Sequence, residues 1–198
     1  MEAVKVMREN IYFHGVDKNC KTESRAEQDY YSTPPEAVEY LLNYESFNQN
    51  ILEPCVGGGA IANVLQQHGY EVTGIDLVDR GYPDTIVGDF LKFDGSFDGD
   101  IITNPPYNIQ TPFVLQCLGV GRKVALLLKL SFLETIHRYD SIFCECPPSR
   151  VYVFVKRISC LKNGEAACKG SSVCYCWYVW DPDCGSDETL IYWIPNHQ

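Results

Sequence analysis

Strand-like and helix-like segments alternate along most of this chain, and this alternation limits the possible folds more than any other feature. Ala60 to His68 has the apolar spacing of a helix that ends at Gly69, and a second helix begins near Phe113. The largely apolar run from Lys123 to Leu130 has the character of a central strand buried on both faces. Alternating strands and helices joined by right-handed crossovers predict an α/β, doubly wound, mostly parallel sheet. The predicted strands are residues 50–54, 71–76, 84–89, 100–103, 123–130 and 150–157.

The two ends of the chain differ from this alternating centre. Residues 1–28 are polar and aperiodic, which indicates an N-terminal arm, and residues 29–198 are expected to form a single domain. Thr33 precedes two prolines and an acidic residue, a pattern typical of a capped helix start. Residues 159–172 are polar and predict a loop. The aromatic runs at 175–180 and 189–194 predict an antiparallel pair of C-terminal strands.

Composition limits where the chain works and what it binds. No apolar stretch is long enough to cross a bilayer, and the N-terminus lacks the layout of a signal peptide. We therefore expect a cytoplasmic protein with no membrane partner. Ten cysteines in a chain without a secretion signal are expected to be reduced thiols. Their spacing fits no common zinc-binding pattern, so no metal site is predicted.

The charge distribution leaves the class of partner open. The net charge is −10, which opposes binding to a polyanion, but residues 122–169 carry nine Lys or Arg against four Asp or Glu. This stretch is either a local patch that receives nucleic acid or a solvated surface of mixed charge. Five of its cations are candidate phosphate contacts: Lys129, Arg138, Arg150, Lys156 and Arg157.

Chemically distinctive residues stand at the ends of four predicted strands. Glu53-Pro54 and then three glycines follow the first strand, Asp76 ends the second, Asp89-Phe90 ends the third, and Asn104 follows the fourth. The carboxyl ends of parallel strands share one edge of the sheet, where ligands of such folds bind. Glycines let a backbone approach a ligand, and an acidic residue after the second strand is typical of ribose recognition. Each residue alone could be a turn or a cap, but their order indicates a nucleoside-binding edge.

The tetrad Asn104-Pro105-Pro106-Tyr107 has the chemistry of a grip for a planar amine. The lone pair of such an amine is delocalised. Two acceptors, the Asn104 side-chain oxygen and the Pro105 carbonyl, can draw its hydrogens and localise that lone pair. The prolines fix the turn, and Tyr107 offers a stacking face for a flipped base. The residues themselves allow the amine to belong to a nucleobase or to a glutamine.

Together these motifs resemble those of S-adenosylmethionine-dependent amino-methyltransferases. The resemblance is greatest to adenine-N6 DNA methyltransferases with the gamma motif order, in their small phage and prophage versions, and it covers residues 29–157. It implies a class I methyltransferase fold, S-adenosyl-L-methionine as the cofactor, and catalytic roles for Asn104, Pro105, Pro106 and Tyr107. Gly58 departs from the family, where many members carry a polar residue. The cofactor-binding residues that the resemblance implies are Tyr31, Thr33, Pro34, Glu53, Pro54, Gly57, Gly59, Asp76, Leu77, Asp89, Phe90 and Asn104.

Four functions remain open at this level. The first is methyl transfer to the N6 amine of adenine in DNA, which the Thr33-Pro34-Pro35 segment favours over RNA. The others are an RNA base methyltransferase, a protein glutamine methyltransferase and a catalytically silent cofactor-binding subunit. No separate target-recognition domain is predicted, because only about forty residues follow the sixth strand. Target choice would then come from loops, a specificity partner or a homo-oligomer.

Overall fold

A computed structural model describes residues 31–162, 173–186 and 188–197. Ten strands are present in this part of the chain: β1 (Tyr31–Ser32), β2 (Asn50–Glu53), β3 (Glu71–Asp76), β4 (Ile86–Val87), β5 (Asp100–Thr103), β6 (Val124–Lys129), β7 (Arg150–Phe154), β8 (Leu161–Lys162), β9 (Tyr175–Trp180) and β10 (Leu190–Ile194). Eight of them form one sheet in the order β10-β7-β9-β6-β5-β2-β3-β4, and β1 pairs antiparallel with β8 in a separate ribbon. The predicted N-terminal arm and positions 163–172 of the predicted loop lie outside the described residues.

The large sheet is parallel except at one strand. β9 lies antiparallel between β6 and β7, and β10 lies parallel to β7 at the outer edge. The predicted doubly wound, mostly parallel α/β sheet is therefore confirmed. The predicted pairing of the last two strands with each other is wrong. All six residues of β9 are buried, which requires a place inside the sheet and leaves the edge to β10.

Helices cover both faces of the sheet. On one face, α1 (Pro35–Leu42) and α2 (Ala60–Gln67) pack over a core that includes Leu127. On the other face, α3 (Gln110–Val120) packs over a core that includes Leu126. Adjacent residues of β6 therefore face opposite cores, which explains the largely apolar run predicted for this strand. A short helix α4 (Ile136–Arg138) continues into a π-helical turn at Tyr139–Phe143.

Helix α1 begins differently from the prediction. Its N-cap residue is Pro34, and no side chain caps its first turn, so the predicted capping role of Thr33 is wrong. The Thr33 hydroxyl instead accepts a hydrogen bond from Asn104. The indole N–H of Trp177 in β9 donates to the Ala37 carbonyl at 2.7 Å, and this hydrogen bond fixes the helix to the sheet.

Four charged side chains form a compact network at the amino-terminal edge of the sheet. The Lys123 ammonium lies 2.5 Å from Glu45 and 3.3 Å from Asp181, and the Arg150 guanidinium bonds to both carboxylates. Burial alone would raise the pKa of Glu45, but hydrogen bonds from Arg150, Lys123 and Tyr152 hold that pKa below its ordinary value. Two cations thus balance two carboxylates and tie the segment after α1 to β6, β7 and the end of β9.

No helix in the described residues is long and apolar enough to cross a membrane. The eight cysteines among these residues are free thiols. The same residues hold no group of three or more His, Cys, Asp or Glu side chains placed to bind a metal ion. The other two cysteines, Cys20 and Cys168, lie outside the described part of the chain.

Candidate active site

A cleft opens at the carboxyl-terminal edge of the sheet, at the ends of β2, β3, β4 and β5. The space between its walls, counted together with the solvent at its mouth, is about 770 Å³. Nine of the twelve residues predicted to bind the cofactor lie along its walls: Tyr31, Thr33, Glu53, Pro54, Asp76, Leu77, Asp89, Phe90 and Asn104. The fold therefore brings residues from five separate segments to one space.

Some lining residues were not predicted from the sequence. Ile109 and Phe113 reach the cleft from the turn after the tetrad and from α3, and Arg80 reaches it from the segment after β3. The sequence predicts only that Ile109 and Phe113 are buried in the core, because their spacing is that of any helix that packs on a sheet. Arg80 lies in an irregular segment where no pattern marks it.

Glu53 places a carboxylate with an unpaired oxygen at the end of β2. The residue is 2% exposed, and no group in the described part of the chain bonds to its Oε2. Burial raises the pKa of this carboxyl well above its ordinary value, although a hydrogen bond from the backbone of Ala62 acts in the opposite direction. A buried carboxylate with an open oxygen is costly unless a cation or a donor reaches it. The arrangement suits a ligand that brings a positive charge into the cleft.

Asp76 joins the end of β3 to the glycine segment that follows β2. Its Oδ2 accepts the Gly57 N–H at 2.8 Å, and its Oδ1 accepts the Val78 N–H at 3.1 Å. Each carboxylate oxygen has more than one acceptor site, so the side chain can still receive hydroxyl groups of a ligand. The Gly57 amide therefore donates to Asp76 and fixes the position of this carboxylate at the wall of the cleft.

The glycines that were predicted to approach a ligand are required here for a sharp turn of the backbone. Gly57 and Gly59 do not line the cleft, and both have positive φ angles, 55° and 82°. A Cβ atom built on Gly59 would lie 2.4 Å from the Tyr82 ring, on the far side of the glycine segment. These glycines let the chain turn sharply from β2 into α2. Pro34, also predicted to bind the cofactor, lies outside the lining as the N-cap residue of α1.

Asp89 and Phe90 form the wall at the end of β4. The Asp89 Oδ1 accepts the Leu91 N–H at 3.1 Å and caps a short 3₁₀ helix at Phe90–Lys92. Phe90 is 3% exposed, and the centroid of its ring lies 5.1 Å from the centroid of the Phe113 ring. The pair gives this end of the cleft an apolar surface beside a carboxylate, a suitable environment for a heteroaromatic ring with an amino group.

Asn104 lies at the end of β5 with the orientation of its amide fixed by its neighbours. Its Nδ2 donates to the Tyr31 carbonyl and to the Thr33 hydroxyl, both at 3.1 Å, and lies 3.9 Å from the Cys160 sulfur. A backbone carbonyl can only accept, so the NH₂ group must face Tyr31 and the oxygen must face away. That oxygen, Oδ1, is buried and has no hydrogen-bond partner among the described residues. It is thus a preoriented acceptor for an N–H group of a ligand.

The β1–β8 ribbon supplies groups that contact the Asn104 amide. Tyr31 and Ser32 pair with Lys162 and Leu161, and Cys160 directly precedes the ribbon's second strand. Burial raises the pKa of the Cys160 thiol to about 12, so this sulfur stays protonated at neutral pH. The ribbon therefore supplies uncharged groups that fix Asn104 without neutralising its free oxygen. Nearby, Thr103 Oγ1 and Gln110 Nε2 are likewise buried without partners.

Tyr107 is enclosed by other side chains. Its ring centroid lies 5.0 Å from that of Tyr31 and 5.7 Å from that of Tyr175, and the Lys129 ammonium lies 4.8 Å over the ring. Burial raises the pKa of the Tyr107 phenol far above its ordinary value, so it remains neutral. A planar ligand can stack on Tyr107 only where one of these neighbours moves aside.

The structure separates the five predicted phosphate contacts. Lys129 ends β6, and Lys156 and Arg157 follow β7, so all three lie at the edge of the sheet that holds the cleft. Arg150 begins β7 at the opposite edge and is part of the ion network, so the structure does not place it with the other three. Arg138 lies in the loop after β6 and is held by that loop's backbone. Its guanidinium donates to the carbonyls of three residues in its own loop, Ser131, Phe132 and Glu134.

No protein-family model and no curated protein matches this chain, whereas several solved structures match its fold. A modification subunit of a putative type I restriction enzyme from Vibrio vulnificus YJ016 has a TM-score of 0.59 at 11% identity, over 85% of this chain and 48% of that one. A putative class I S-adenosylmethionine-dependent methyltransferase from Listeria monocytogenes has a TM-score of 0.57 at 14% identity, over 82% and 65%. A putative RNA methyltransferase from Pyrococcus horikoshii has a TM-score of 0.57 at 17% identity, over 91% and 96%.

These likenesses concern the fold, because identities of 11% to 17% do not carry function. The chain spans about half the length of the Vibrio subunit, 65% of the Listeria protein and nearly all of the Pyrococcus protein. The mostly parallel eight-stranded sheet, with one antiparallel strand inserted next to β6 and a cleft at the carboxyl edge, has the fold of the class I methyltransferases.

Proposed function

We propose that this protein transfers a methyl group from S-adenosyl-L-methionine to the exocyclic N6 amine of adenine in DNA. The observation that carries the proposal is the buried, unpaired Oδ1 of Asn104, held in one orientation at the wall of the cleft. Buried polar atoms are nearly always satisfied, so this acceptor is expected to meet a donor from a ligand. An exocyclic amine offers such a donor and needs it to be drawn away before the nitrogen can act as a nucleophile.

The residues of the cleft fit the cofactor chemically. The unpaired carboxylate oxygen of Glu53 suits the ammonium group of the methionine part, and the carboxylate of Asp76 suits the ribose hydroxyls. Asp89 can accept from the amino group of the cofactor's adenine, with Phe90 and Phe113 against its ring. When bound, S-adenosylmethionine supplies the methyl group, which leaves its sulfonium sulfur as the new N–C bond forms and a proton leaves the amine nitrogen.

The acceptor side needs positioning and two hydrogen-bond acceptors. In this proposal the Asn104 oxygen takes one hydrogen of the amine and the Pro105 carbonyl takes the other, so the nitrogen lone pair turns towards the methyl group. Both acceptors lie on one rigid turn, because each proline fixes its own φ angle. Small displacements of reacting groups cost large rate factors, and a turn of this kind limits them. The proton can leave to water, so the site requires no strongly basic side chain.

The choice of DNA rests on two supporting observations. The Vibrio protein that shares this fold is a modification subunit of a putative restriction enzyme. Lys156 and Arg157 are exposed at the same edge of the sheet as the cleft, and Lys129 ends β6 at that edge, where these cations can meet phosphates. Both observations are compatible with RNA, so the experiment must separate the two polymers.

The test is transfer of a labelled methyl group to three acceptors: unmethylated DNA, total RNA and total protein. The wild type should label DNA at adenine N6, and Asn104→Ala should lose roughly 100-fold or more of that activity, since it removes a preoriented acceptor. Calorimetry on the same variant measures cofactor binding, and the loss of transfer should exceed any loss of cofactor affinity. Asn63→Ala, an exposed asparagine of α2, is the matched control and should keep full activity. Label in RNA or protein alone would reject the DNA proposal, and cofactor binding without transfer to any acceptor would indicate a silent subunit.

A further inference from the structure

β10 exposes an apolar surface at the outer edge of the large sheet. Its residues Leu190 to Trp193 are between 41% and 65% exposed. Edge strands usually carry charges, prolines or bulges that block pairing with another chain, and the five residues of β10 are all apolar or aromatic. Four of the thirteen large apolar side chains exposed in the described chain belong to this strand: Leu190, Ile191, Tyr192 and Trp193. An apolar surface that the described residues leave exposed in this way indicates an interface.

The backbone of β10 is also ready to pair. The Leu190 N–H donates to Ser149 and the Ile194 carbonyl accepts from Val155, so these groups point towards β7. Backbone groups alternate in direction along a strand, so those of Ile191 and Trp193 point outwards. Within the described residues, no strand pairs with this edge. The opposite edge strand, β4, has only two residues and offers no comparable template.

We propose that β10 pairs antiparallel with β10 of a second copy of this chain, around a two-fold axis at Tyr192, to form a homodimer. The two eight-stranded sheets then become one continuous sheet. In this register Ile191 of each copy lies opposite Trp193 of the other, and each such pair exchanges two backbone hydrogen bonds. An aromatic residue opposite a β-branched one is a favourable cross-strand pair. A surface that complements itself in this way is what a two-fold dimer requires.

Charges flanking the strand fit a second copy in this register. Residue 188 of one copy lies opposite residue 196 of the other. Glu188 is exposed, and the Asn196 side chain bonds to the backbone N–H and carbonyl of Lys156, both at 2.7 Å. Each end of the paired strands therefore brings an acidic side chain of one copy close to a lysine of the other. The interface lies three strands or more from β5, which leaves both clefts open.

The oligomeric state of the full chain, measured by analytical ultracentrifugation over a range of concentrations, tests the proposal. The wild type should sediment with twice its chain mass of 22.4 kDa. Ile191→Lys places two charges in the centre of the interface and should weaken dimerisation roughly 100-fold or more. Ile86→Lys is the matched control, because Ile86 is 54% exposed on the other edge strand and Ile191 is 51% exposed. A monomeric wild type, or a dimer that Ile191→Lys leaves intact, would overturn the proposal.

The register has its own test. In the proposed register Tyr192 of one copy lies opposite Tyr192 of the other, in a pair that exchanges no hydrogen bonds. The Cα atoms of such a pair are about 4.5 Å apart, within reach of a disulfide. Tyr192→Cys should therefore give a covalent dimer on mild oxidation, and Ile191→Cys should not, since it lies opposite Trp193. Glu188→Lys and Lys156→Glu should each weaken the dimer, and a mixture of the two variants should restore it as a heterodimer. Equal cross-linking of both cysteine variants, or no recovery in the mixture, would rule out this register.

Discussion

At the scale of single residues, the site is defined by polar atoms that the protein leaves unsatisfied. Glu53 Oε2 and Asn104 Oδ1 are buried without partners on the wall of the same cleft. A sequence can indicate that a strand ends in a carboxylate or an amide, and both residues were found in this way. It cannot indicate that neighbours satisfy one atom of the side chain and not the other. For Asn104 that asymmetry comes from Tyr31 and Thr33, more than seventy residues earlier in the chain.

Glu53→Gln should separate stability from cofactor binding. Because burial raises the folded-state pKa of Glu53 above 4.5, the folded protein holds its proton more tightly than the unfolded chain does. Its stabilising effect is complete at low pH and is lost as pH rises through the raised pKa. At neutral pH the wild type therefore carries a desolvation cost, on the order of 1–3 kcal/mol, that glutamine avoids.

Unfolding and binding measurements on the same variants check this prediction. The difference in free energy of unfolding between wild type and Glu53→Gln should shift against the wild type as pH rises above 4.5. Binding of S-adenosylmethionine to the variant should weaken by roughly tenfold to 100-fold, because a charged hydrogen bond is lost. Glu36→Gln, at an exposed position in the first turn of α1, should change neither quantity. Unchanged cofactor affinity in Glu53→Gln would remove Glu53 from the binding site.

At the scale of elements, the ribbon of β1 and β8 positions the candidate catalytic asparagine. Thr33→Val removes one of the two acceptors that hold the Asn104 amide and nearly preserves side-chain volume. We expect kcat for methyl transfer to fall roughly tenfold, because the amide can then rotate and its oxygen is no longer preoriented. Thr33→Ser keeps the hydroxyl and should stay within about twofold of the wild type. A loss of kcat in both variants, with unchanged folding, would show that the hydroxyl is not what matters.

Elements differ in how well their sequences predict them. The predicted strand at 100–103 coincides with β5, and the apolar run at 123–130 contains β6, since burial on both faces leaves an unmistakable composition. The partners of β9 and β10 could not be predicted, because both strands are aromatic and apolar and pairing order is set by contacts distant in sequence. β8 was predicted as loop, since a two-residue strand has no periodicity to detect.

The ion network at the amino-terminal edge should be structural. Lys123→Met leaves the buried Glu45 and the half-buried Asp181 with one cation between them and should cost roughly 3–5 kcal/mol of folding free energy. Arg122→Met, which breaks an exposed pair with Asp183, is the control and should cost less than about 1 kcal/mol. Chemical denaturation of both variants measures the difference. Equal costs would mean that the network is as weakly coupled as a surface pair.

The same network predicts how stability depends on acidity. The pKa values of Glu45 and Asp181 lie below their ordinary values of 4.5 and 3.8, because hydrogen bonds from Arg150 and Lys123 outweigh the effect of burial. The stabilisation is therefore present above pH 4.5 and is lost as pH falls through the lowered folded-state values. Glu45→Gln should flatten the acid limb of a stability–pH curve, and an unchanged limb would contradict the assignment.

At the scale of the whole molecule, the basic stretch of the sequence does not form one surface. Arg122, Lys123 and Arg150 lie at the amino-terminal edge of the sheet, and Lys129, Lys156 and Arg157 lie at the carboxyl-terminal edge with the cleft. A strand carries its two ends to opposite edges, so cations that are close in sequence are separated in space. The first three are paired with acids in the structure. An approaching polyanion would therefore meet its cations on the side of the cleft.

This separation predicts which cations contribute to the salt dependence of the proposed DNA binding. Lys129 lies beside Tyr107 at the cleft edge, so Lys129→Gln should reduce the slope of log binding constant against log salt concentration by about one. Lys129→Arg keeps the charge and should keep the slope. Arg122→Gln, at the far edge, should leave both slope and affinity unchanged. Fluorescence anisotropy with a labelled duplex between 50 and 200 mM salt gives the slopes. If Arg122→Gln lowers the slope as much as Lys129→Gln does, DNA does not approach from the cleft side.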